Sequence, residues 1–393
     1  MAYARRPMPA KRRYSPAEKR KRLETSLRRR FRYHLNKLGM ACEDESALTK
    51  DAIRHRHSDQ RRAKLKKSRN LIELWPEFAR YFANGSDVSP TQIRPRLELV
   101  DGDTWHSQLF ALASLYWSVP TSAGYGRRLR FLCWDDNTDC LIGIVALGDP
   151  VFNLGARDRY IGWNGDDRRE RLWSVMDAYV LGAVPPYNAL LCGKMLACLL
   201  RSTDVAEAFA AKYRNYVSII SGKRRRKAPL AMITTSSALG RSSVYNRLRL
   251  GGDQYFLSVG QTQGYGHFHI PDSLFLDMRL YLEMVGHEYA NKHSYGNGPN
   301  WRLRVVREAI TRIGLSPQLT QHGIAREVFV CETGANSLAY LRGEVKDLNP
   351  DQCKSASEIA RLSLDRWVIP RSERVPTYRE WRREDFLAEI TGK

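Results

Sequence analysis

Two places in this 393-residue sequence gather side chains that do chemistry by type alone. Lys223-Arg224-Arg225-Arg226-Lys227 is a run of five cations with no acid between them, which suits a clamp on phosphate oxygens or a solvated loop. His267-Phe268-His269 is a His-hydrophobe-His triplet. On one strand face it would aim two imidazoles at a divalent metal, the chemistry of single-strand nicking when a Tyr nucleophile follows on a helix. Tyr281 and Tyr289 stand downstream, with His287 and His293 close by, while Gly266 and Pro271 around the triplet equally suit a polar loop with exposed histidines. No glycine-rich phosphate loop, nucleophile elbow or metalloprotease helix is written here. The seven Cys contain no C-x-x-C pair, which argues against a zinc ribbon or a disulfide framework.

Charge narrows the partner. The formal net charge is +22, and residues 1–100 hold 26 Lys/Arg against 11 Asp/Glu. A positive segment segregated in this way attracts polyanions and is driven onto them by counterion release. Nucleic acid is the expected partner, DNA ahead of RNA. A membrane surface would need an apolar helix face or a lipid anchor, and Met1-Ala2-Tyr3-Ala4 is no myristoylation signal. The longest apolar stretch, Ala189–Leu200, is broken by Lys194, and no signal-peptide core follows Lys11-Arg12-Arg13, so no membrane contact and a cytoplasmic location are expected.

The elements that must position these groups follow from periodicity. Residues 1–14 read as a disordered basic tail. Ser15-Pro16-Ala17-Glu18 is an N-cap, a Pro at the first helical position and a capping-box acid, and it opens a helix to Leu38. Leu23, Leu27, Phe31, His34 and Leu38 recur at spacings of three and four as one narrow stripe on it, with Arg20, Arg22, Arg28, Arg29, Arg30 and Arg32 elsewhere. A second basic helix, Asp51–Arg69, carries Arg61, Arg62, Lys66 and Lys67. Together these make residues 15–88 the expected nucleic-acid-binding region, closed by the loop formers Asn84–Pro90. Arg128–Trp134 and Cys140–Leu147 read as hairpin strands, Ala178–Val184 as a strand stopped by Pro185-Pro186, and Ala189–Leu200 as an apolar helix. Leu230–Thr235 and Tyr255–Val259 are further strands, with a short helix at Arg241–Leu248 between them. The expected fold is α/β, a mixed central sheet over residues 89–271 with an α-rich extension over 272–393.

The order of elements between residues 128 and 260 resembles the second half of a GNAT-type N-acyltransferase. That resemblance implies acyl-CoA held at the helix start after the fourth strand, here Asn188, Leu191, Cys192, Gly193 and Lys194, where only Gly193 of the family's glycine motif is kept. It also implies that Tyr245 protonates the leaving thiolate, the alternative being a packed Tyr. A more specific likeness lies in Arg157–Trp163, Val184-Pro185 with Leu191–Gly193, Tyr245-Asn246-Arg247 and Val259–Gly266. These blocks look like segments of DruA-like proteins, which occur in Druantia anti-phage systems and beside transposases. Such proteins often read Asn-Asn where Met176-Asp177 stands, so an amide has become an acid, and Asp177 reads as a general base near an acceptor amine or as a turn cap. The resemblance implies work on nucleic acid with partners from a defence or transposition system. It leaves open an acyltransferase-type modifier, a non-catalytic DNA- or RNA-binding component, and the nickase. Trp163 and Asn164 suit contact with a base by stacking and hydrogen bonding, the alternative being a Trp buried in a loop.

Overall fold

The capping box read at Ser15 forms as written. Its hydroxyl accepts from Glu18 N, and the Glu18 carboxylate accepts from Ser15 N, so two of the orphan donors of helix α1 (Pro16–Lys37) are satisfied reciprocally. Thr49 caps α2 (Lys50–Lys67) by accepting from Ala52 N. The computed structural model describes residues 14–38, 40, 49–122, 124, 126–217, 222, 224, 227, 229–264, 266, 269–291 and 299–391. These fall into two compact units, one drawn from Met1–Ala47 and Tyr265–Gly323, the other from Leu48–Gly264 and Ile324–Lys393.

The larger unit is mixed α/β around a seven-stranded, mostly antiparallel sheet. Its strands are β1 (Pro95–Leu99), β2 (Arg128–Asp135), β3 (Cys140–Gly148), β4 (Val175–Ala183), β5 (Met232–Ser236), β6 (Leu257–Gln261) and β7 (Glu327–Glu332). They lie in the order β1-β2-β3-β4-β5-β7-β6. Every neighbouring pair is antiparallel except β4 with β5. All nine residues of β3 are buried, as expected of a central strand covered on both faces. Among the helices of this unit are α3 (Gly165–Arg171), before β4, and α4 (Cys192–Leu199), after it. Two apolar clusters fill the sheet's surroundings, one around Tyr187, Leu196, Phe209 and Phe329, the other around Phe82, Leu112, Ile144 and Phe386.

Four expectations need correction. The strand expected at Ala178 begins at Val175, so Met176-Asp177 is inside β4 rather than ahead of it. The helix expected at Ala189 begins only at Cys192, because the backbone turns through 185–191 and Leu191 takes a left-handed conformation, φ 62°. Arg241–Leu248 forms turns, not a helix. The segment expected to be an α-rich extension contributes β7, which is inserted between β5 and β6.

The smaller unit is helical. Leu27, Phe31 and Leu35 of α1 pack with α5 (Asp272–Met284) and α6 (Pro299–Arg312) around Leu274, Met278, Val306 and Ile310. The Arg30 guanidinium pairs with Asp277, and Arg302 bonds Asp272 at 2.9 Å. A basic helix thus finds its core in residues some 250 positions later in the chain.

Candidate functional site

Parallel pairing of β4 with β5 lasts for three ranks only, Val175, Met176 and Asp177 against Met232, Ile233 and Thr234. Side chains take over where the ladder stops. Thr234 Oγ1 donates to Asp177 Oδ1 at 2.6 Å, and Thr235 Oγ1 donates to the Ala178 carbonyl at 2.9 Å. Tyr245, buried against Phe256 and Phe329, hydrogen-bonds the Thr235 hydroxyl. Burial pushes the Asp177 carboxyl up to about 6, against the opposing pull of the Thr234 bond and of Arg157. Burial likewise pushes the Tyr245 phenol up to about 12, with Asp177 adding to it and Thr235 opposing. The two residues expected from far apart in sequence are therefore brought to one strand junction. One is a carboxyl that changes charge close to neutrality, the other a phenol that keeps its proton, the protonation states that base and acid roles require. Nothing in the spacing points to Thr234 and Thr235; the only signal is two hydroxyls in succession on an apolar strand.

Arg157 supports this junction from inside. Its side chain is fully buried, donating to Asp158 through Nη2 at 2.6 Å and to the Val151 and Phe152 carbonyls. Asp158 also receives Arg168 Nη1 at 2.9 Å. Trp163, expected to stack on a base, is buried beside Arg157 and donates its indole N–H to the Leu341 carbonyl at 2.7 Å. Asn164 caps α3 by accepting from Asp166 and Asp167 N.

The residues expected to hold acyl-CoA lie around the start of α4. Asn188 is exposed and donates to the Tyr116 hydroxyl at 3.3 Å; Cys192 is buried, which pushes its thiol up; Gly193 is half-buried; Lys194 sits 5.5 Å above the Trp367 ring. Residues 356–378 share a core with this segment, through Ile359, Trp367, Val368 and Tyr378, and Arg371 bonds the Ala189 carbonyl. A cavity of about 270 Å³ beside Pro186 and Asn188 is lined by Glu389 and by no cation. That cavity offers a pyrophosphate a carboxylate rather than a cation.

The basic residues divide into those bonded within the fold and those exposed at its surface. On α2, Arg61 reaches toward the Glu389 and Ile390 carbonyls, and Arg62 pairs with Asp59. Lys64 points inward to Thr121 and Ser114, its ammonium pulled down to about 8 by burial, while Lys66 and Lys67 are exposed. On α1, Arg28 bonds the Ile313 carbonyl and Glu24, and Arg30 is paired, but Arg20, Arg22, Arg29 and Arg32 are exposed. Of the basic run, Arg224 is exposed and Lys227 pairs with Asp347 at 3.3 Å; Lys223, Arg225 and Arg226 lie outside the described residues.

The nickase geometry finds little support. His267 and His293 lie outside the described residues, and His269 is buried with its carbonyl bonded by His34 Nε2. Tyr281 is in the core of the helical unit, Tyr289 is half-buried, and His287 faces Glu308. Among the described residues no group of three His, Cys, Asp or Glu could hold a metal ion, and no helix is long and apolar enough to cross a membrane.

Comparison with known proteins gives one consistent result. The sequence model of the family described as Druantia protein DruA matches residues 47–343. A curated protein of that name from Escherichia coli (strain UMEA 4076-1) is 48% identical over 375 residues, 94% of this chain and 93% of that protein. No solved structure matches.

Proposed function

The chain belongs to the DruA family of Druantia defence systems, and on that premise we propose that it is a nucleic-acid-binding component of such a system, gripping DNA through α1. One observation carries this reading. α1 holds nine Lys/Arg against two Glu in 22 residues, and it buries Leu27, Phe31 and Leu35 on one side while Arg22, Arg29 and Arg32 stay exposed on the other. A face of this kind neutralises backbone phosphates without reading sequence. α2, with Arg61 and Lys64 turned to protein carbonyls and hydroxyls and Arg54 and Arg62 paired with Asp51 and Asp59, has the lesser part. The family's setting in a defence system supports further protein partners. The test is a titration of the purified chain against labelled duplex DNA, single-stranded DNA and RNA at low salt. Binding, with DNA tightest, is expected; no binding to any of the three would overturn the reading.

A second reading concerns chemistry, and the β4–β5 junction favours it. The sheet order with its single parallel pairing supports a GNAT-like fold, and Asp177 with Tyr245 at that pairing supports proton transfer to a nucleic-acid substrate. The covered start of α4 speaks against acyl-CoA as the donor held at residues 188–194. Calorimetry with acetyl-CoA is therefore expected to give no heat at millimolar ligand. Heat that disappears in Gly193→Val would reinstate an acyltransferase.

A further inference from the structure

A cavity of about 280 Å³ opens beside the start of β4. Arg171 at the end of α3, Trp173 and Ser174 ahead of β4, Tyr340 of helix α7 (Ser337–Arg342), Gly343 and Lys346 all line it. Three features distinguish it from a surface hollow. The Ser174 side chain is fully buried, and its Oγ has no hydrogen-bond partner. A buried hydroxyl without a partner is unfavourable, and a ligand that supplies one removes the penalty.

The Arg171 guanidinium is held by packing and by one long ion pair to Asp167. It lies so close against Gly343 that a Cβ there would come within 2.1 Å of Nη2, and Gly343 is in the left-handed region at φ +79°, so glycine is required on both counts. Its nearest carboxylate, Asp167, is 4.0 Å from Nε, and Nε itself is buried without a hydrogen bond. The guanidinium fork is thus positioned with its bonding capacity unspent.

The remaining walls combine aromatic surface, from Trp173 and Tyr340, with a second cation, Lys346, against a single acid, Glu170. Lys227, the last cation of the basic run, pairs with Asp347, the residue after Lys346.

We propose that this cavity takes one unstacked nucleotide of a bound strand. The base lies against the Trp173 and Tyr340 side chains, the Ser174 hydroxyl bonds the base edge, and Arg171 with Lys346 holds the phosphate. Aromatic surface, an unpaired hydroxyl and a bidentate phosphate partner in one small cavity are what a nucleotide needs; inorganic phosphate would leave the first two unused. The proposal rests on nucleic-acid binding as the function, but it concerns a different surface from α1.

Two measurements separate them. Calorimetry with dTMP reads the cavity alone: binding is expected, weakened about ten-fold or more in Tyr340→Ala and in Arg171→Gln. Photocrosslinking with a single-stranded oligonucleotide carrying 5-iododeoxyuridine should map to peptides containing Trp173 or Tyr340. Oligonucleotide binding without dTMP binding and without those crosslinks overturns the cavity while leaving α1 intact. Binding of dTMP without any affinity for strands would overturn the function and keep the cavity. Inorganic phosphate competing as well as dTMP, with Tyr340→Ala silent, would reduce it to an anion site and overturn the proposal. Arg171→Gln, an exchange at a partly exposed side chain, keeps the test usable if Tyr340→Ala fails to fold.

Discussion

Asp177→Asn is expected to make the protein more stable at neutral pH. The Asp177 carboxyl titrates at about 6 in the folded chain rather than at 3.8, so the native state holds this proton more tightly than the unfolded chain does. The sign follows from linkage. As pH rises from 3.8 through 6, the unfolded chain loses the proton first, and stability falls across that window; above pH 7 the whole penalty is present. At about 1.4 kcal/mol per pKa unit the penalty is about 3 kcal/mol, an upper bound because Asp177 keeps some solvent contact. Asparagine retains a side-chain carbonyl to accept the Thr234 hydroxyl, now 2.6 Å away, and carries no charge to desolvate. At the 2–4 °C per kcal/mol typical of units this large, Tm should rise by roughly 5–10 °C at pH 7.5. The gain should shrink to near zero at pH 4. Thermal and urea unfolding of both proteins at the two pH values measures it. A variant that is equally or less stable at pH 7.5 would refute the desolvated carboxylate. It would also remove the reason to see Asp177 as kept for function at the expense of stability.

Two other substitutions probe the frame around the site. Arg157→Met should cost about 3–5 kcal/mol in urea unfolding, because it strips a fully buried guanidinium from Asp158 and from two backbone carbonyls. A cost below about 1 kcal/mol would show that the network is not structural. Lys64→Met should leave DNA affinity within about two-fold, since its ammonium faces Thr121 rather than solvent. Its folded pKa is lowered, so the native state is penalised while the group is protonated. The variant should therefore gain about 1 kcal/mol at pH 7 after the lost Thr121 and Ser114 bonds, with the gain fading between pH 8 and 10.5.

Local signals in the sequence were legible where local physics decides. The capping box at Ser15 and the hairpin of β2 and β3, with its polar turn at Asp135–Asp139, follow from residues within a few positions of one another. Long-range effects were not legible. Val328–Cys331 is a four-residue apolar run that reads as buried helix or strand alike, and only pairing with Met232–Ser236 makes it β7. Lys64 looks like any other cation of a basic helix, because Thr121, which turns it inward, is 57 residues away. The expected base-stacking role of Trp163 failed for the same reason: its partner, the Leu341 carbonyl, is 178 residues on. Asp177 and Tyr245 were found by family likeness, and the hydroxyls joining them came from the fold.

The central claim is that α1 holds the phosphate backbone. It is tested most directly by the salt dependence of duplex binding in the triple variant Arg22→Gln, Arg29→Gln, Arg32→Gln, followed by fluorescence anisotropy between 50 and 300 mM salt. All three side chains are exposed, so folding should be undisturbed. Each lost contact removes about 0.9 from the slope of log K against log salt, so the slope should flatten by about 2.7. A variant with the wild-type slope and affinity would contradict the account.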